Sequence, residues 1–200
     1  MDGMWVCGGL WIVFFVVWMV WAIRTKPTQM REGVSSRLSY TVLTVAAFYL
    51  IFSGDAARDW RFRTLPTLAD WLRIRMFAAN PWTAALGVAI TAAGLGFAMW
   101  ARAYIGTNWS SSVTVKVGHQ LVRTGPYRWV RHPIYTGLIL AMLGTALERR
   151  QVRGLVAVLL LYAGFKIKSR IEERTMTNTF GAEYDDYSRS TGAIVPRLRL

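Results

Sequence analysis

Long charge-free runs alternate along the chain with short, strongly basic ones. Trp5 to Ile23 is the first such run, 19 residues long, close to the roughly 20 that a helix needs to cross a ~30 Å hydrocarbon core. Leu38 to Gly54 is the second. Pro81 to Ala101 is the third, opening after Asn80, where proline suits the first helical turn. Asp2 precedes the first run while Arg24 and Lys26 follow it, the reverse of a secretory signal, so it reads as a retained anchor with its N-terminus outside. Two later runs are shorter, 15 residues from Pro133 to Leu147 and 12 from Gly154 to Phe165, separated by the charged turn Glu148 to Arg153. Twelve helical residues reach only about 18 Å. The second arm of this helical hairpin is therefore expected to continue past Lys166, Lys168 and Arg170, with the basic side chains snorkelling or lining a wet cavity. The pattern predicts an all-α polytopic membrane protein with about five transmembrane helices. Leu65, Leu68, Leu72 and Met76 recur near helical spacing beside Trp71, predicting a short amphipathic helix in the interface.

Composition agrees with a bilayer as solvent. Hydrophobic residues make up 54 % of the 200, ten are tryptophan and mean hydropathy is +0.28, which a soluble globule does not sustain. A formal net charge of +13 suits anionic headgroups and cytoplasmic loops rather than nucleic acid once the apolar runs are considered. Five spans with the N-terminus outside place 16 of the 24 Lys and Arg residues in the cytoplasm and 8 outside, the bias of the positive-inside rule, and put the C-terminus in the cytoplasm. One cysteine, Cys7, excludes an internal disulfide, and with two histidines no cluster has metal-ligand spacing, so no structural metal is expected. Gly87, Gly94 and Gly96 read as helix-packing positions. No GxGxxG after a strand, P-loop or GxSxG is present, which removes the common soluble nucleotide and serine-hydrolase architectures. Nothing in the sequence sets an oligomeric state.

Scarce polar chemistry collects in two places. Both histidines, His119 and His132, fall within HQLVRTGPYRWVRH, together with Arg123, Tyr127, Arg128 and Arg131. Gly125-Pro126 makes a turn, and Pro133 places His132 at a helix start. Arg131 and His132 beside unpaired helix N–H groups form an anion site, or else an interface anchor. The second stretch is KSRIEERTMTNTFGAEYDDYSRSTGAIVPRL. On a continued helix Lys168 and Glu172 share one face, and Ser169 and Glu173 the next. This is either an ordinary solvated pair or a pair of carboxylates turned inward toward a cationic cofactor group.

Taken together, GHQLVRTGPYRWVRHPIYTG at Gly118 to Gly137, the hairpin, and EERTMTNTFGAEYDDYSRSTGAIVPRL at Glu172 to Leu198 resemble the isoprenylcysteine carboxyl methyltransferase family, as does GTNWSSSV upstream. The resemblance implies an integral membrane enzyme that binds S-adenosyl-L-methionine without a Rossmann domain. It implies three N-terminal spans in residues 1–105 and a methyltransferase region in 106–200 holding the hairpin and a cytoplasmic C-terminal segment. His119, Gln120, Leu121, Val122 and Tyr127 would wrap the cofactor; His132, Pro133, Ile134 and Tyr135 would lie against its methionyl and ribose parts; and Glu172 would meet its ammonium. Arg131, His132, Lys168 and Glu173 would serve catalysis, Lys168 standing where members tend to carry an arginine facing the acceptor carboxylate.

The function so implied is methyl transfer to a lipophilic acceptor from the bilayer, in the simplest case the carboxylate of a prenylated cysteine. In-line transfer to a carboxylate needs positioning and exclusion of water more than acid or base help. The rival readings are N-methylation of a phosphatidylethanolamine-type headgroup, which needs a base, an NADPH-dependent membrane lipid or steroid reductase, and a non-catalytic scaffold.

Overall fold

A computed structural model describes residues 3–23, 28–31, 33–54, 68–106, 109, 114–116 and 121–197. Its described elements are α1 (Gly3–Ala22), β1 (Thr28–Arg31), α2 (Val34–Phe52), α3 (Leu68–Leu72), α4 (Pro81–Ile105), β2 (Thr114–Lys116), a 3-10 turn (Gly125–Arg128), α5 (Pro133–Arg149), α6 (Val152–Phe180) and α7 (Ala182–Ser190). Helices α1, α2 and α4 are long and apolar enough to cross a membrane. They expose large apolar side chains such as Val16, Val45 and Leu86 outward. Asn80 starts α4 as foreseen, its side chain accepting from the Trp82 N–H at 2.8 Å with Pro81 following.

Helix α5 is the centre of the bundle, packed by α4, α6, α1 and α2. Its seam with α4 is made of small residues. Gly87, Thr91, Gly94 and Ala98 face Gly137, Ala141 and Gly144 so closely that a Cβ on Gly137 would lie 2.6 Å from the Gly94 carbonyl oxygen. Such a seam lets two backbones meet in lipid, where hydrophobicity alone gives helices no reason to associate. Polar side chains lock it: Trp11 Nε1 donates to Thr145 Oγ1 at 3.0 Å, and Thr145 Oγ1 lies 3.2 Å from Thr91 Oγ1. Gly87 and Gly94 thus pack as expected. Gly96 does not, since a Cβ there would meet open space.

Helix α6 runs unbroken for 29 residues, so the arm that looked too short does continue through Lys166, Lys168 and Arg170. At the far end of the hairpin, charge folds inward. Arg153 is buried and donates to Ser53 O at 2.9 Å and to Gln151 Oε1 at 2.6 Å, while Arg149 also bonds Ser53 O. The two guanidinium groups thereby satisfy the carbonyl end of α2, where a positive charge is favoured by the helix dipole.

Two features depart from the sequence reading. A two-stranded antiparallel ribbon joins β1 to β2, an addition to the all-α expectation. Among the described residues the amphipathic helix covers Leu68–Leu72 and stops before Met76; Leu65 lies outside the described residues. Its C-terminal end is set by competition from the α5–α6 turn, which pairs with the segment through a single β-bridge between Arg75 and Gln151: Met76 N–H donates to Arg150 O at 2.8 Å and Val152 N–H to Ile74 O at 3.1 Å.

Replacing Gly94 by Val should cost at least the ~1–3 kcal/mol typical of overpacking, because backbone must move. Gly96→Val should stay within about 0.5 kcal/mol. Thermal unfolding of both variants in detergent checks this; equal midpoints would contradict the seam.

Candidate active site

The polar extension of α6 meets the start of α5 beyond the apolar parts of both helices. The approach to α5 is shaped locally. Gly125 sits at φ +58, and a Cβ there would also strike the Tyr104 ring at 2.6 Å, so conformation and space both demand glycine. The tail then straps the segment in place: Arg131 N–H donates to Gly192 O and His132 N–H to Ala193 O, both at 2.9 Å, and Thr136 Oγ1 donates to Ile194 O at 2.6 Å. Tyr187 on α7 donates to the Tyr127 carbonyl at 2.6 Å.

Arg131 and His132 are thereby aimed at two adjacent glutamates. Glu173 Oε1 accepts from Arg131 Nε at 2.9 Å and Nη2 at 2.7 Å, and lies 3.1 Å from His132 Nε2. The remaining amine of Arg131, Nη1, donates to Ser188 O at 2.9 Å and also to Thr191 O. Glu172 Oε1 accepts from the Tyr135 hydroxyl at 2.7 Å, and its Oε2 lies 3.3 Å from His132 Nδ1. Both imidazole nitrogens therefore face carboxylates, an arrangement that favours the imidazolium. Below them Tyr135 is stacked between His132, at 5.3 Å, and Phe165, at 4.5 Å. Lys168 Nζ hangs over the rings of Tyr40, at 5.1 Å, and Tyr135, at 5.6 Å.

The charges reinforce one another. Burial works to raise the Glu173 carboxyl, but the His132 hydrogen bond and charge, with Arg131 beside it, hold it at about 2. Glu172 is likewise lowered against its burial, first by His132 and then by Lys168. Burial pulls His132 down, yet its hydrogen bonds to Glu172 and Glu173 leave it above its ordinary value. Two ionised carboxylates withdrawn from water are costly in isolation; here Glu173 is answered by Arg131 and His132, and Glu172 by His132 and the Tyr135 hydroxyl.

Of the residues singled out from sequence, Arg131, His132, Tyr135, Lys168, Glu172 and Glu173 come together. Val122, Tyr127 and Ile134 form an apolar wall with Tyr135, Leu138 and Trp109. Pro133 is the buried first residue of α5, and Leu121 is partly exposed. Tyr127 turns its hydroxyl toward Ala101 O at 3.4 Å, a strut to α4. His119 and Gln120 lie outside the described residues. Four donor–acceptor contacts engage the Arg131 guanidinium, two of them to Glu173. Sequence reasoning missed the carbonyls of Ser188 and Thr191, which no side-chain pattern announces, and Tyr40, which looked like one more aromatic of a span. It also missed the buried Arg102, which donates to Gly106 O at 2.7 Å and Trp21 O at 3.1 Å inside a cage of Trp18, Trp21 and Trp109.

Comparison with known proteins fits this geometry. Residues 82–183 match the family model described as phospholipid methyltransferase (PEMT), half of the chain, and the chain belongs to that family of membrane methyltransferases. It is similar to protein-S-isoprenylcysteine O-methyltransferase of Saccharomyces cerevisiae, 37 % identical over 79 residues, which are 39 % of this chain and 33 % of that one. The Mus musculus protein of the same name is 28 % identical over 146 residues, 68 % of this chain and 52 % of that one. Methanethiol S-methyltransferase of Pseudomonas deceptionensis is 33 % identical over 73 residues, 36 % of this chain and 27 % of that one. The chain thus spans from about a quarter to about half the length of these relatives. Among solved structures, the eukaryotic intramembrane Ras methyltransferase, isoprenylcysteine carboxyl methyltransferase, shares the fold at a TM-score of 0.57 and 24 % identity, over 82 % of this chain and 54 % of that one.

The charge cluster predicts a stability profile. Glu173, held at about 2, adds stability that is complete above its ordinary 4.5 and is lost as pH falls toward 2; His132, raised, adds stability that is complete below 6.5 and is lost as pH rises through its higher value. The melting temperature of Glu173→Gln should therefore fall furthest below wild type between about pH 4.5 and 6.5, with the gap narrowing on either side. A gap independent of pH would contradict the cluster.

Proposed function

We propose that the protein transfers the methyl group of S-adenosyl-L-methionine to a lipophilic acceptor, and that this acceptor presents a carboxylate, as an isoprenylated cysteine or a similar lipid-like acid does. The observation that carries the reading is the Glu172–Glu173 pair, held ionised by His132 and Arg131 at the bilayer edge beside Lys168. The donor set fits the cofactor: carboxylates suit an ammonium and a sulfonium, and the apolar wall of Val122, Tyr127, Ile134 and Tyr135 suits an adenosine. When bound, the cofactor supplies a methyl group on a positively charged sulfur. Glu172 receives the ammonium, with Tyr135 and His132 fixing its orientation. Arg131 and Glu173 keep His132 in place. Lys168 meets the acceptor carboxylate as a point charge, lacking the bidentate fork of an arginine. By resemblance to the family, His119 and Gln120, which lie outside the described residues, would also contact the cofactor.

Membership of a phospholipid methyltransferase family favours transfer over reduction. It keeps N-methylation of an amine headgroup as the second reading. An amine must lose a proton to attack, and among the described residues the site offers poor bases: His132 and Arg131 hold the Glu173 carboxyl at about 2, and His132 is engaged by two carboxylates. That shortage speaks for an acceptor already ionised. The architecture that accompanies the reading has α1, α2, α4, α5 and the apolar half of α6 as five spans, with the N-terminus outside and the C-terminus in the cytoplasm. Residues 1–105 then form the membrane-embedded support and 106–200 the methyltransferase region.

Glu172→Gln should keep the fold and weaken S-adenosyl-L-methionine binding by the ~1.5–3 kcal/mol of a charged hydrogen bond, roughly 10- to 150-fold, measured by isothermal titration. Unchanged affinity would remove Glu172 from the cofactor site. Lys168→Met should raise KM for a farnesylcysteine acceptor without weakening cofactor binding, because it removes a cation beside Glu172. Methylation of phosphatidylethanolamine rather than farnesylcysteine by one detergent preparation would reverse the order of the two readings.

A further inference from the structure

We infer that one face of α6 binds an anionic phospholipid, its acyl chain lying along the apolar half of the helix and its phosphate held by Arg170 and Arg174. Lys166, Arg170 and Arg174 are spaced four residues apart, so they form one stripe on the helix. The same face continues toward the hairpin turn as Leu155, Leu159 and Tyr162, all exposed. An exposed apolar strip that passes directly into a basic one matches the two halves of a lipid molecule. The change of character falls after Phe165. From Lys166 to Arg174 the stripe rises about 12 Å, through the depth at which lipid phosphates lie when the apolar half of α6 crosses the bilayer as proposed above.

These cations stand apart from the other basic groups of this end of the molecule. Arg131 is committed to Glu173 and two carbonyls, Arg123 to Glu183 and Arg189 to Asp186. Among the described residues neither Arg170 nor Arg174 has a hydrogen-bond or ion-pair partner. Both are exposed on a shallow face of α6 shared with Thr177, Asn178 and Glu173. Two guanidinium groups, a hydroxyl and an amide make a donor set for a tetrahedral oxyanion. The carboxylate on this face does not oppose it, because Glu173 turns its charge toward Arg131 and His132. A membrane lipid, rather than a soluble phosphate, is the occupant because the basic stripe continues the exposed apolar strip of Leu155, Leu159 and Tyr162 along one helix face, with Lys166 as a third charge between the two.

The test is native mass spectrometry of the full chain in detergent, titrated separately with phosphatidylglycerol and phosphatidylcholine. Wild type should bind phosphatidylglycerol at least fivefold more tightly than phosphatidylcholine. The Arg170→Gln/Arg174→Gln double variant should lose that preference, and Arg170→Lys/Arg174→Lys should retain part of it. Arg128→Gln/Arg189→Gln, which removes the same net charge elsewhere, should retain all of it. An unchanged preference in the first double variant would overturn the site, as would an equal loss in the charge-matched control. Displacement of phosphatidylglycerol by equimolar glycerol phosphate would overturn the lipid assignment. The outcome does not depend on the methyltransferase reading.

Discussion

Glu173 accepts from Arg131 and His132 at once, and through that shared carboxylate the start of α5, the polar half of α6 and the C-terminal tail become one rigid unit. Without it His132 would lose one of its two counter-charges, the half-buried Arg131 would be left with only carbonyls, and the carbonyls of Ser188 and Thr191 would lose the anchor of the guanidinium that gathers them. The neighbouring Glu172 inherits its geometry from the same cluster. It is oriented by Tyr135 and by a histidine whose other nitrogen is already fixed. Preorganised charge of this kind contributes to binding because its desolvation has been met during folding rather than when a ligand arrives.

That unit needs a membrane scaffold that does not slide. The glycine seam between α4 and α5 supplies it on one side, where close backbone contact and the Trp11, Thr91 and Thr145 hydrogen bonds fix the register. On the other side Arg149 and Arg153 clamp the far end of the hairpin to the last turn of α2. Helices α5 and α6 are therefore held at both ends, by ionic groups in the polar zones and by small residues between. The stack of His132, Tyr135 and Phe165 connects the polar cluster downward into the apolar core. Lys168 rests on this stack, its ammonium held over the rings of Tyr40 and Tyr135.

Much of this was legible in the chain. Charge-free runs of nearly 20 residues located α1, α2 and α4 because bilayer thickness leaves few alternatives. The 12-residue run was rightly extended, since a helix cannot stop in hydrocarbon with its carbonyls unmet. Arg131, His132, Glu172 and Glu173 stood out as scarce polar chemistry in two short stretches. What stayed hidden depended on partners far along the chain. Whether Arg131 faces a ligand or Glu173 turns on a contact 42 residues away, and the strap from Gly192 to Ile194 uses backbone groups that every residue carries. The expected interfacial helix ends before Met76 because the hairpin turn competed for the backbone around Ile74, and Gly96 resembled Gly94 in sequence while facing away from the seam.

The decisive measurement is a structure of the protein with S-adenosylhomocysteine bound. The ligand's ammonium should lie about 3 Å from a Glu172 oxygen, with its adenosine against Val122 and Ile134 and with the Arg131–Glu173 pair intact. A ligand bound away from Glu172, or one that enters only by breaking Arg131 from Glu173, would contradict a site built in advance around two ionised glutamates.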